Sequence, residues 1–414
     1  MTAKPAALRW WILLLLFLSM TVNFLDRQVL SLVAPVLRDQ LGLSNTQYGT
    51  IVFCFLLGMT LGQIPAGILM DRKGARAGFT FIVAWWSVAN MLHAFGRSMA
   101  QLASLRFLLG LGECGTYSGG VKVIGRWFPD RERALAAGIF NSGSLAGAIA
   151  APPLIVFLML KFGWPAAFLI PSAAGLLWLV PWLWVYREPA RQSDASSSEA
   201  PAPRLLQLLA VPAVWGVILM RSFGGPVTHF YWYWLPEYLK RERGMSLEMI
   251  GMFAWLPFLC GGLGNIGGGW FSSKLIQRGW SVDRARKTAF VLATLLCLTA
   301  LLVPPAPNAA VALGLISLAT LGINAFAANL MGLITDLFPQ QILARVSSLT
   351  GVGDGAMSMT MMFLVGVVVD RFSYLPVFIG AGILPVLSLA SLLVLVGRIR
   401  LVRLPAASPG QGGR

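Results

Sequence analysis

Gly67-Ile68-Leu69-Met70-Asp71-Arg72-Lys73-Gly74-Ala75-Arg76 is the stretch on which the fold turns. Residues 48–70 ahead of it and 77–96 behind it are almost wholly apolar. Each run approaches the roughly 20 apolar residues that carry a helix across hydrocarbon. Four charges and a glycine between them leave only a tight, basic, solvated turn. The same design returns 202 residues later, where Gly269-Trp270-Phe271-Ser272-Ser273 closes another apolar run before another basic loop. Phe128-Pro129 likewise recurs as Phe338-Pro339. Two similar halves, each built of membrane-crossing segments, follow from this.

Composition agrees. The 414 residues are 57% hydrophobic and 12% charged, about half the charge of an ordinary soluble domain, with a mean hydropathy of +0.73. Backbone polar groups in lipid are satisfied only in helices or closed barrels. Unbroken apolar runs without period-two alternation select helices. The expectation is an all-α membrane protein of twelve transmembrane helices in two pseudo-symmetric six-helix halves. Its spans fall near 9–36, 48–70, 77–96, 100–123, 134–160 and 164–186, then 212–239, 248–272, 287–305, 309–336, 346–370 and 374–397. The divisions are a bundle over 1–186, a linker over 187–211, a second bundle over 212–397 and a tail over 398–414. The linker contains REPARQSDASSSEAPAPR, whose serine, proline and charge mark a solvated connection.

The net charge of +16 raises nucleic acid as a partner, but the basic residues follow loop alternation instead. Of the 32 lysines and arginines, 21 fall in the segments sharing a side with the N-terminus, 7 in the opposite loops and 4 within spans. That bias puts both termini in the cytoplasm. Lys4 and Arg9 before an apolar run imitate a signal peptide. No small-residue cleavage site follows, so the run reads as a retained first helix. Cys54, Cys114, Cys260 and Cys297 have no metal or disulfide spacing. Two GxGxxG matches, at Gly110 and Gly262, lie inside spans rather than after a strand and do not predict a nucleotide site. There they allow close helix approach, as do the pairs Gly58/Gly62 and Gly143/Gly147. No cofactor is expected, and no Ser–His–Asp or Cys–His cluster suggests an enzyme.

Several motifs carry a family resemblance. GILMDRKGAR at 67–76 resembles the signature loop between spans two and three of the major facilitator superfamily. RWFPDRERALAAG at 126–138 is similar to the loop after span four in its anion:cation symporter family. FLDR at 24–27, LRFLLGLGEC at 105–114, FYWYWLPEYL at 230–239 and MFAWLPFL at 252–259 resemble the sugar-acid branch, which includes hexuronate and galactonate transporters. The resemblance runs from about 9 to 397. It implies alternating access, a central organic-anion site, proton co-transport, a monomer and a bacterial inner-membrane location. Three positions depart from it. Met59 stands where galactonate-type relatives have tyrosine, Gly225 where many members have aspartate, and Asp354 adds a carboxylate in span eleven.

Charges held at mid-membrane cost about 2.5–3.5 kcal/mol each and usually face a cavity or one another. Arg27 is the leading substrate ligand. A guanidinium holds a carboxylate bidentately, and the resemblance puts this arginine at the substrate; an ion pair is the alternative. Asp26 and Glu113 are candidate proton carriers, with fixed counter-charge or structural bonding as alternatives. Arg106 lies two turns before Glu113 on the same face and reads as a partner of Glu113 or Asp26. Lys122 is an anion contact or a snorkelling lysine. Arg221 binds substrate or pairs with Asp354, itself a third candidate proton carrier. Asn324 and Asn329 have amides suited to sugar hydroxyls, or bridge helices. Tyr117 and Tyr231 are candidate pocket liners. Asp71, Arg72, Arg76, Arg106, Arg126 and Arg133 are assigned to a gating charge network.

The functional expectation is proton-coupled import of a small organic anion, such as a hexuronate or aldonate, through the bilayer. Efflux of drugs or metabolites by proton antiport is the alternative. It is disfavoured because cationic-drug pockets are aromatic and acidic with few arginines.

Overall fold

The computed structural model describes residues 6–188 and 205–402. Most of the 187–211 linker and the tail from 403 lie outside the described residues. Among those described, every regular element is helical. Ten helices are long and apolar enough to cross a membrane. They are α1 (Leu8–Leu41), α2 (Asn45–Met70), α3 (Arg72–Phe95), α5 (Arg131–Phe162) and α6 (Trp164–Val185) in the first half. In the second half they are α8 (Leu247–Gln277), α9 (Val282–Leu302), α10 (Ala309–Leu337), α11 (Arg345–Arg371) and α12 (Leu375–Val396). Two others complete the twelve. They are α4, formed by Met99–Glu113 and Gly115–Trp127, and α7, Pro212–Arg241. Their length suits a span, but Arg106, Glu113, Lys122 and Arg126 in α4, and Arg221 and Glu237 in α7, lower their apolarity.

Local chemistry sets the helix ends. Ser44 begins α2 with a reciprocal capping box to Gln47, satisfying two donors that would otherwise be orphaned. Ser98, Ser281 and Asn308 cap α4, α9 and α10. Helix geometry runs through 45–92 except at Gly74, whose φ of 81° turns α2 into α3. That glycine lies inside the stretch 67–76, and its lack of a Cβ makes the turn possible.

The twofold repeat is visible in the helix seams. A Cβ on Gly58 or Gly62 of α2 would meet the α4 backbone at Phe107 or Leu111. In the second half, Gly264 and Gly268 of α8 lie in the same way against Leu321 and Ala325 of α10. Gly143 and Gly147 of α5 rest on the carbonyls of Phe17 and Thr21 in α1. The small-residue pairs seen in the sequence therefore are close-approach seams.

Bonds between the halves gather at the end holding the α1–α2 turn. Arg38 of α1 pairs with Glu237 of α7, and Arg241 bridges Glu237 and Asp39. Asp370 at the end of α11 accepts from Asn45 N, at 2.9 Å, and Thr46 N, at 2.7 Å, so a carboxylate from one half caps a helix of the other. Tyr48 donates to the Tyr233 carbonyl at 2.6 Å. This end is sealed.

Candidate functional site

Beyond the seal, between the halves, lies a cavity of about 620 Å³. Phe24, Trp232 and Thr320 mark its mid-bundle end. Gly138 of α5 and Met331 of α10 carry its wall to within two turns of the end bearing the basic loop. Phe24 and Trp232 meet edge to face at 5.2 Å and close it toward the seal. Polar side chains come from both halves: Tyr117, Asn141, Ser142 and Ser144 from one, Asn265, Thr320 and Asn324 from the other. Ser142 and Ser144 donate to their own helix carbonyls, so their oxygens offer lone pairs to a ligand. The surface is uncharged, hydroxyl- and amide-rich with aromatic faces, suited to a polyol chain.

Charge stands immediately behind this wall. The Arg27 guanidinium covers the face of Phe24 at 4.6 Å, and its Nε donates to Glu113 Oε2 at 2.6 Å. This pair ties α1 to α4. Arg27 keeps 14% of its side chain exposed while Glu113 has none, and Glu113 Oε1 is buried without a partner. Asp26, one residue earlier and about 100° round the helix, turns instead toward α3. It accepts from Asn90 Nδ2 at 2.9 Å, and its Oδ2 is unpartnered. Arg106 is buried against the Phe55 ring, with Nε and Nη2 unpartnered. It lies deep in α4, away from the loop at 72–76, and so apart from the gating group with which the sequence placed it.

In the second half, Arg221 Nε lies 3.2 Å from Asp354 Oδ2. Both line a smaller cavity that shares Asn324 and Met331 with the main one. Three other sequence candidates lie elsewhere. Asn329 is fully buried and donates to the carbonyls of Gly268 and Ala325. It also accepts from Arg286, which pairs with Asp336 at 2.9 Å, so it binds α8, α9 and α10 together. Tyr231 is buried against Phe230 with its hydroxyl unpartnered, and its neighbour Trp232 takes the cavity. Lys122 Nζ donates to the Met70 carbonyl at 2.7 Å, at the basic-loop end.

At that end, Glu188 organises the loop. It pairs with Arg126 and accepts from the backbone N–H groups of Ala75 and Arg76. Arg76 donates to the Leu183 carbonyl, and Arg133 to those of Phe128 and Gly125. Arg72 is exposed, and the Asp71 side chain lies outside those described. Glu188, Arg38, Asn141, Asn265 and Trp232 were not singled out from sequence, and Glu237, near the outer end of span seven, reads from sequence as an interfacial carboxylate rather than a buried one. The Asn-Ser-Gly-Ser run at 141–144, polar within an apolar helix, was the available signal for one wall.

Two helical halves around a central polar cavity, sealed at one end, define a membrane transporter rather than an enzyme. Residues 16–323 match the Major Facilitator Superfamily, and the chain belongs to that family. It is 29% identical to the hexuronate transporter of Escherichia coli (strain K12) over 410 residues, covering 95% of this chain and 94% of that one. It is 30% identical to a probable galactarate/D-glucarate transporter of Bacillus subtilis (strain 168) over 431 residues, covering 96% and 94%. A bacterial homologue of the human lysosomal transporter Spinster, solved inward-facing and unoccupied, superposes with a TM-score of 0.75 at 20% identity over 95% of each chain.

Proposed function

We propose that the chain imports a sugar acid, of the hexuronate or aldonate kind, together with a proton across a bacterial inner membrane. The observation that carries this reading is the Arg27–Glu113 pair behind the cavity wall. Ionised Glu113 occupies the guanidinium. A proton on the unpartnered Oε1 cancels the carboxylate charge and frees Arg27 for a substrate carboxylate. Proton and anion then enter as one neutral exchange of partners, which is the requirement for symport. Asp26, with its own unpartnered oxygen, is the second carrier. Asn141, Asn265, Asn324 and Tyr117 take the hydroxyls.

The basic-loop end is the cytoplasmic one by charge bias, with both termini on that side, so the sealed end faces outward and this conformation faces inward. Glu188, Arg76 and Arg126 hold the cytoplasmic loop, and the two bundles rock as units about the cavity, within a monomer. The similarity to a hexuronate transporter and to a probable galactarate/D-glucarate transporter supports the substrate class.

The test is uptake into proteoliposomes carrying an internal pH dye, with a panel of hexuronates, aldonates and aldarates and no imposed potential. Lumen acidification by one acid, lost in Glu113→Gln, is the expected result. Uptake without proton movement overturns the coupling. Exchange of a cationic dye for protons, with no acid entering, overturns the substrate class.

A further inference from the structure

The second-half cavity, of about 180 Å³, has among its described lining residues one cation and one anion, Arg221 and Asp354. Their pairing is built into the backbone. A Cβ on Gly225 of α7 would overlap Asp354 Oδ1, so the α11 carboxylate rests in a notch that only glycine leaves. Both carboxylate oxygens are engaged: Oδ2 by Arg221 at 3.2 Å and Oδ1 by the Ser358 hydroxyl at 3.0 Å. Glu113 differs, with one oxygen buried and unpartnered. Asp354 therefore has its ionised form satisfied on both oxygens, where Glu113 keeps a place for a proton. The subsite is net neutral.

Such a subsite discriminates by charge. A second substrate carboxylate approaching Arg221 comes against Asp354 at contact distance, a like-charge juxtaposition that excludes a wrong ligand. A hydroxyl or carbonyl meets no such cost. Arg221 donates to it, Asp354 accepts from a hydroxyl, and Asn324, which lines both cavities, bridges the two ends. Resting on the sugar-acid reading above, we propose that Arg221 and Asp354, set in the Gly225 notch, are a specificity pair. They accept the hydroxylated end of a monocarboxylic sugar acid and reject the second carboxylate of an aldarate.

The test is uptake of labelled D-galacturonate and galactarate by the full-length protein in proteoliposomes, each competed by the other. Wild type should favour galacturonate by about tenfold or more. Asp354→Asn keeps the shape and the Ser358 contact and removes the charge, so the preference should narrow by about tenfold. Loss of folding alone does not move a ratio, and the wild-type ratio decides the matter if the variant is not recovered. Similar uptake of both acids by wild type, or an unchanged ratio in Asp354→Asn, overturns the proposal. Entry of neither acid overturns the sugar-acid reading, and this one with it.

Discussion

Glu237→Gln should open the sealed end. Glu237 has no exposed side-chain surface and holds two arginines, Arg38 at 9% exposure and Arg241 at 43%. Removing one member of a buried pair costs about 3–5 kcal/mol, because the other charge remains buried. Arg38 is partly compensated, since it also donates to the Leu43 carbonyl at 3.1 Å and to Asn45 Oδ1 at 2.7 Å. Arg241 is too exposed for its pair to weigh much. That leaves about 2–3 kcal/mol lost from the state sealed at this end. In the open state the same arginines are hydrated and lose little. The outward–inward equilibrium should then shift by about 30- to 150-fold. Gln47 and Phe372 are exposed at the two helix ends that meet there. Spin labels on cysteines at these positions, with the four native cysteines replaced, report the gap by pulsed electron resonance. Wild type should show one short distance, and Glu237→Gln should add a longer one. An unchanged distribution in a folded, monodisperse variant refutes the assignment of this cluster as the gate at the sealed end.

Other consequences follow from the same geometry. Arg27→Lys keeps the charge but loses the fork that holds a carboxylate; the apparent affinity for the transported acid in uptake assays should fall by about tenfold or more. Asn329→Ala strips partners from Arg286 and the Gly268 carbonyl, costing about 1–3 kcal/mol. It should lower Tm in detergent while leaving KM near wild type, and a raised KM at unchanged Tm would return Asn329 to the cavity. Tyr231→Phe removes a hydroxyl that has no partner and should be neutral in stability and transport, whereas Trp232→Ala removes a cavity wall and should raise KM. Gly147→Leu drives a side chain into the Thr21 carbonyl of α1 and should abolish recovery of folded protein on size exclusion, where Gly380→Leu, with open space around it, should not.

The fold was legible because hydrocarbon imposes it. Apolar runs of fixed length, basic loops on alternate sides and small-residue pairs all have one physical cause each. The charged site residues were legible for a related reason: Arg27, Glu113, Arg221 and Asp354 are too costly to keep within spans without a partner or a cavity. Which partner each takes depends on helix rotation and tilt, and sequence carries neither. Asn324 and Asn329 show the limit. Five residues apart on a helix, they point about 140° from each other, so one cavity cannot take both. The structure gives it to Asn324. Tyr231 and Trp232 differ by one step of about 100°, and nothing in a run of five aromatic residues, Phe230–Trp234, fixes its phase. Glu237 reads from sequence as an interfacial residue because it lies near a span end, where a carboxylate ordinarily meets water. Its burial comes from Arg38, 199 residues away, and a contact between halves has no local signature.

Three of the arginine–carboxylate pairs, at the seal, at α1–α4 and at α7–α11, have one electrostatic form and different supports. At the seal, two arginines from two helices hold Glu237 Oε1, while its Oε2 is buried without a partner as Glu113 Oε1 is; the second cation and the link from α1 to α7 make it a clasp between the bundles. At α1–α4, Glu113 has one arginine and one unpartnered oxygen, and the proposed symport puts a proton on that carboxylate and a substrate carboxylate on the freed guanidinium. At α7–α11, Asp354 has both oxygens engaged and a backbone notch to itself, the support on which the proposed specificity pair rests. In the proposed cycle, substrate reaching Arg27 passes walls contributed by both bundles, Asn141 on one side and Asn265 and Asn324 on the other. In that cycle a ligand spanning them would draw the open ends together and strain the clasp at the far end. Binding energy from the hydroxyls is thereby directed against the Arg38–Glu237 contact, and an anion lacking those hydroxyls should bind Arg27 without driving the bundles past one another.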